Sequence, residues 1–452
     1  MILPHIDRFE FGQKLSRVVS PATPIRSVEH LFWRSEQLQR IEKSLFMTGR
    51  HIFIYGDRGV GKSSLAATAA TQWQTSDAEP ITVPCATDAS LKSIVANIGY
   101  IALSASRLRK TKLTQKAALE LKYLKADASR EITQNDLYTE IHNLNDAVEI
   151  LKEAGQIHSE RSIIVIDEFD RLPVNERLLF GDFVKQLGDR GIDVKIIFTG
   201  VGRSLQELLG AHASAIRQLD TILLPQLPWE GRFEIVRAAL KEFDLEIDQE
   251  IVLRIAAVSD GFPSYVHKIT EKMLWRVFED DQVVREVTAE HYHRAINDTV
   301  SESYAMFSDL YDKIVNQRQD GWEEVLWSTA DSDFLRRYLK DMYSSYEHIM
   351  ERRMGHIPLD YGKYSTRIRS LKGKSCGEVL VPDPSKVGLY QYRESMFRGY
   401  VRMQAEAHGV ELIGKSHDQS AKPVIHVPTS ANRGYYQSKP PNGVHLERKR
   451  TK

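Results

Sequence analysis

Apolar residues along the chain follow two alternating rhythms. Short continuous runs at 52–55, at 162–166 within "SIIVIDEFDRL", at 194–200 ("VKIIFTG") and from Thr221 ("TILLPQL") read as buried strands, with a further short one at 80–86. Between them apolar positions return every three or four residues, which predicts helices over 29–48 (Leu31, Leu38, Ile41, Leu45), 64–71, about 88–109, 134–154 and 175–188. Strands separated by helices cannot pair as hairpins. They predict an α/β fold in three layers, a parallel sheet covered by helices on both faces.

Beyond Pro228 the rhythm is helical alone as far as about residue 301. It breaks once, at "DGFPSY", where Gly261 can end one helix and Pro263 can open the next. Residues 301–414 return to a mixture of helix and strand. Residues 415–452 have no periodicity, carry eight basic residues against two acidic ones, and read as a disordered basic tail.

The first strand leads into "GDRGVGKSS", which meets the spacing GxxxxGK[ST] with Gly56, Gly61, Lys62 and Ser63. Glycines at 56, 59 and 61 let successive N–H groups, with those of Asp57, Arg58 and Val60, face one concavity. The helix that follows adds its own free N–H groups and dipole, including that of Ser64. Such a hollow takes a di- or triphosphate; Lys62 would reach the β and γ oxygens and Ser63 one position on Mg²⁺. The alternative is a glycine turn beside a surface lysine.

Asp167 and Glu168 follow four apolar residues, so they stand at the C-terminal end of a buried strand, the edge where open α/β sheets bind ligands. Neighbouring strand residues point to opposite sides, which separates their tasks. Asp167 suits the Mg²⁺ shell and Glu168 the polarising of an attacking water. Asp170 extends the acidic cluster and is expected to cap or to support the other two carboxylates. Thr199 ends the next strand, within reach of the γ-phosphate or that water. Arg217 ends a helix just before the last strand. It either complements the helix dipole or projects into a neighbouring subunit's site as an arginine finger.

Together, "GDRGVGKS", "IDEFDRL", the strand-end threonine, the helix-end arginine and the helical stretch after Pro228 resemble AAA+ P-loop ATPases, within them the origin-recognition type initiators and the related STAND ATPases. The resemblance implies an ATPase core over 1–227, with a basic insertion at about 105–132, and a helical lid over 228–300. It also implies a winged-helix-like domain over 301–414. Gly261 and Pro263 match the lid turn that lies against the nucleotide base. Two positions depart from the pattern: the lid helix offers His267 and Lys268 but no arginine, and Trp33 precedes Arg34 where glycine is expected. The resemblance therefore implies slow or partner-stimulated hydrolysis of ATP.

In the winged-helix reading, 361–371 is the third helix and 378–392 a hairpin wing. Lys363, Arg367, Arg369, Lys372 and Lys374 would then face duplex DNA. The other use of such a domain is to dock a separate effector protein. Net charge does not choose between them, since 61 basic residues balance 61 acidic ones and no global field draws the chain to nucleic acid, but the dense basic cluster on the third helix favours DNA. Two cysteines, Cys85 and Cys376, make no disulfide framework. No apolar run approaches the roughly 20 residues of a membrane span. The expectation is a cytoplasmic ATP- and Mg²⁺-dependent switch, homo-oligomeric, acting on DNA or an effector. The other reading is a scaffold in which ATP is a structural ligand.

Overall fold

The computed structural model describes residues 6–74, 78–108, 122–124, 132–159, 161–202, 218–281, 283–303, 305–316, 321–353 and 355–412. Its first half runs α1 (Arg8–Val18), α2 (Ser35–Leu45), β1 (His51–Tyr55), α3 (Lys62–Trp73), β2 (Ile81–Pro84), α4 (Leu91–Leu108), α5 (Gln134–Glu140), α6 (Leu144–His158), β3 (Ser162–Asp167), α7 (Val174–Asp189), β4 (Val194–Gly200) and β5 (Leu219–Leu223). The five strands are parallel in the order β2-β3-β4-β1-β5, so β1 sits between β4 and β5.

Strand side chains alternate between two cores. Phe53, Ile164, Ile166 and Phe198 face α4, α6 and α7, while Ile52, Ile54, Ile163 and Val165 face α2 and α3. These are the three layers that the apolar runs predict. The helix expected over 134–154 is two, because Asn143 caps α6 through the N–H groups of Asn145 and Asp146 while Asp146 returns a bond to Asn143. Of the basic insertion, Lys122–Leu124 is held by three backbone N–H bonds to the buried Glu153 carboxylate, and Leu124 is core. Most of the rest of that insertion, and the 415–452 tail, lie outside the described residues.

The second half continues with α8 (Trp229–Glu242), β6 (Glu246–Ile247), α9 (Gln249–Val258), α10 (Pro263–Phe278), β7 (Glu286–Val287), α11 (Ala289–Ser301) and α12 (Ala305–Val315). It ends with α13 (Trp322–Ala330), β8 (Arg336–Tyr338), α14 (Leu339–Glu351), α15 (Tyr361–Ser370), β9 (Leu380–Pro382), β10 (Leu389–Tyr392) and α16 (Ser395–Ala407). The α2/α3 core continues through all of it without a break. α1 belongs to this side too, Phe11 stacking on Phe278 at 4.3 Å and meeting Trp275 edge-on. The last three strands form an antiparallel sheet in the order β8-β10-β9. Among the described residues no helix is long and apolar enough to cross a membrane, and Cys85 and Cys376 are both free and buried.

α16 packs the end of the chain onto α9, α11, α12 and α13. Met396, Tyr400 and Met403 are buried as their spacing predicts, but so are Arg398, Arg402 and Glu406 on another row of the same helix. Charge is tolerated there because each group has partners. Asp260 lies 3.1 Å from Arg398 and 3.5 Å from Arg402, and Arg402 also donates to Ala330 O and Ala257 O. Glu406 accepts from Arg254 and, at 2.7 Å, from Tyr292. Removing one partner strands the others in low dielectric. Asp260→Asn is therefore expected to lower the free energy of unfolding by about 3 kcal/mol in a urea titration; an unchanged midpoint would count against the buried triad.

Candidate nucleotide site

Residues 56–61 carry the chain from β1 into α3 through a path that side chains would block. A Cβ on Gly56 would lie 2.4 Å from Leu224 O. Gly61 sits at φ 94° as the residue before α3, so the helix begins with its N–H groups open to the loop. Arg34 pins the loop from below, donating to Val60 O at 3.1 Å and Pro225 O at 2.8 Å; burial lowers its pKa to about 10. Trp33, standing where glycine is expected, takes the left-handed conformation (φ 55°) that glycine would supply. The Lys62 ammonium folds onto Asp57 O at 2.7 Å. Burial lowers its pKa, and Asp170, Asp167 and Asp57 oppose that shift.

Asp167 is the meeting point of the site. Its Oδ1 accepts from Ser63 Oγ at 3.0 Å, from the Thr199 hydroxyl and from the Glu168 N–H at 3.0 Å. Glu168 sits at φ 54°, a strained position for an L-residue, costing about 1–3 kcal/mol, that turns its side chain away from the strand. Its carboxylate pairs with Arg171 at 2.6 Å, both groups about half exposed. Asp170 caps the end of β4, accepting from Val201 N at 2.6 Å. Lys62, Ser63, Asp167, Glu168 and Thr199 thus come together; Arg217 lies outside the described residues.

Two cavities flank the loop. One, of about 360 Å³, has the loop along one side and both apolar walls (Leu31, Phe32, Leu227, Ile235, Pro263) and polar ones (Thr23, His30, Ser264, His267), a slot able to hold a flat ring with hydrogen-bonding edges. Segment 20–25 closes it, held where Ser64 Oγ accepts from Ile25 N and Thr68 donates to Ile25 O. The Ser64 hydroxyl thus braces the wall as an acceptor while the residue lines the slot. Gly261 (φ 78°) accepts from Leu227 N at 2.8 Å, and Pro263 faces Gly61. The second cavity, about 630 Å³, contains Arg58, Lys62, Asp167, Glu168 and Thr199 on one side. On the other side are Met306, Phe307, Glu394 and Met396, from the far end of the chain. Burial raises the Glu394 carboxyl's pKa, against the pull of Arg58 and Lys62.

Residues 30–197 match the family described as AAA ATPase domain. The match contains the whole loop with Lys62, Ser63, Asp167 and Glu168; Thr199 and everything after it lie beyond. Among solved structures the chain is similar to the Walker-type ATPase PABY2304 of Pyrococcus abyssi (16% identity, covering 84% of this chain and 98% of that one, TM-score 0.48). It is similar also to the ORC2 protein of Aeropyrum pernix in its ADPNP–ADP complexes (12%, 87% and 98%, 0.46) and to the RuvB Holliday junction branch migration motor of Thermotoga maritima (13%, 85% and 98%, 0.41). No curated protein matches the chain.

Outside the AAA ATPase domain match, the basic residues of α15 and of the turn after it divide. Lys363, Arg369 and Lys374 are exposed, whereas Arg367 lies over the Trp322 ring at 5.2 Å and Lys372 over Tyr390 at 5.5 Å. Sequence reasoning did not single out Ser264, Arg171, Glu394 or the contact of Met396 with the loop. Only the last two needed the fold to be found; Ser264 stands beside the "GFP" turn and Arg171 within "IDEFDRL".

Gly59 marks where the Met396 contact is tightest. At φ 75°, its Cβ would fall 2.7 Å from Met396 Sδ. Gly59→Ala and Met396→Ala should each lower stability by roughly 2 kcal/mol in urea unfolding. The double variant should fall short of the sum by at least about 0.5 kcal/mol. Strict additivity would mean the two residues do not press on one another.

Proposed function

We propose that the chain is an ATP-dependent molecular switch that hydrolyses ATP with Mg²⁺ and passes its nucleotide state to the C-terminal segment. One observation carries this reading: the cavity that holds Lys62, Asp167 and Glu168 is closed on its other side by Glu394 and Met396. Nucleotide at the loop and the position of α16 cannot then be independent.

The donor set fits a divalent cation. Ser63 Oγ and Asp167 Oδ1, 3.0 Å apart, have the spacing of adjacent oxygens in an octahedral shell, about 2.9 Å for Mg²⁺. Bound there, Mg²⁺ would neutralise charge on the β and γ oxygens. Lys62 would leave Asp57 O for the same oxygens. Thr199 would orient the attacking water, and Glu168, freed from Arg171, would take its proton. Arg217 is proposed as the finger supplied by a neighbouring copy in a homo-oligomer.

Residues 228–300 are proposed as the lid and 301–414 as a winged helix. The order α13-β8-α14-α15-β9-β10 and its small antiparallel sheet support the latter. Its exposed Lys363, Arg369 and Lys374 favour duplex DNA as a partner over an effector protein. A second reading, in which ATP is a structural ligand, is favoured by the Glu168–Arg171 pair, which keeps the base occupied.

Turnover decides between the readings. Glu168→Gln should lower the ATPase rate by roughly 10²–10⁴-fold while leaving ATP affinity intact. Arg171→Ala should raise the wild-type rate by up to about five-fold, the worth of an exposed ion pair. A wild-type rate no higher than that of Glu168→Gln, with and without duplex DNA, would establish the structural-ligand reading instead. For the partner, neutralising Lys363, Arg369 and Lys374 together should flatten the dependence of log K on log salt by about 0.9 for each phosphate charge no longer neutralised. An unchanged slope would exclude α15 as the DNA-facing element.

A further inference from the structure

The face of α10 turned toward the loop carries Ser264 and His267, spaced by three so that they fall in one row. Ser264 Oγ and His267 Nε2 are both buried atoms without a hydrogen-bond partner among the described residues. Both residues line the 360 Å³ slot, and Ser264 lines the phosphate-end cavity as well. Its hydroxyl is 3.2 Å from where a Cβ on Gly59 would lie, against the middle of the phosphate loop. His267 is one turn further on, in the wall of the slot.

The protonation of His267 follows from its surroundings. Nδ1 accepts from Ser20 N at 3.4 Å, so in the neutral ring the proton is on Nε2. Burial, and the nearby His30, keep the ring neutral by lowering its pKa to about 4. The result is a buried N–H donor with nothing to donate to, a costly arrangement unless a ligand supplies the acceptor. A nucleotide offers phosphate oxygens at the loop and ring nitrogens in the slot.

We propose that α10 reads the nucleotide through two uncharged donors, the Ser264 hydroxyl on the phosphate chain and the His267 Nε2–H on a ring nitrogen of the base. This rests on the loop being a nucleotide site and adds how the lid grips what is bound there. An uncharged pair gains far less from the extra charge of a third phosphate than a cation would. The lid accordingly holds ADP and ATP about equally, and the distinction between them falls to Lys62 and to the Glu394 side of the phosphate cavity.

The test is calorimetric binding, with Mg²⁺, of ATP, ADP, adenosine and the 1-, 3- and 7-deaza forms of ATP. The proteins are wild type, Ser264→Ala, His267→Phe and His267→Gln. One deaza form should bind wild type roughly five-fold more weakly than ATP does, and that penalty should vanish in His267→Phe. His267→Gln, which keeps a donor, covers the case in which the phenylalanine variant does not fold. Ser264→Ala should weaken ATP and ADP by the same factor, roughly five-fold, and leave adenosine unaffected. If ATP binds wild type tightly but no deaza form is penalised, or the penalty persists without the imidazole, the base contact is overturned. Equal weakening of adenosine by Ser264→Ala overturns the phosphate contact. If no nucleotide binds wild type at all, the nucleotide reading itself fails, and this inference with it.

Discussion

A strand has to become a helix within six residues while leaving its N–H groups free, and the rest of the molecule is arranged around that demand. Free backbone donors in a buried hollow are costly unless an anion meets them. Side chains would fill the hollow, so glycine is forced where Leu224 and Met396 press closest. The loop cannot support itself either. Arg34 fastens its underside to the residues after β5, and Asp167 gathers Ser63, Thr199 and Glu168 at its open side. Placing β1 between β4 and β5 makes both attachments short.

The layers and much of the site were legible because they depend on local rules. Continuous apolar runs mark strands buried on both faces, and glycine spacing before Lys62 marks a phosphate hollow. Asp167 and Glu168 were found from their place at a strand end. What could not be read depends on distant partners. Arg398, Arg402 and Glu406 look like the solvated side of a helix, and they are buried because Asp260, Arg254 and Tyr292 meet them. Glu394 becomes part of the phosphate cavity only when α16 is laid across the loop. Trp33 shows the limit from the other side: a bulky residue at positive φ contradicts local preference and is held there by Arg34 and the packing against Gly231. The split at Asn143 is different, since the Asn143–Asp146 capping pair was visible in the sequence and would have divided the helix there.

The same contacts that bury α16 define how a bound nucleotide would be felt elsewhere. Asp260 holds Arg398 and Arg402, and Pro263 and Ser264, a few residues on, line the slot beside the loop. Tyr265 donates to Met396 O at 3.0 Å, and Met396 touches the loop itself. Two short routes therefore lead from the loop to one helix, one through the turn before α10 and one directly. Cores this well packed respond to such changes by shifting between discrete arrangements.

Hydrogen exchange of the backbone across residues 395–407, with and without Mg²⁺ and ATP, tests this coupling most directly. The account predicts that saturating nucleotide changes exchange in α16 together with that of residues 56–64. Protection of the loop with no change in α16 would contradict it, leaving a nucleotide site whose occupancy the C-terminal segment does not sense.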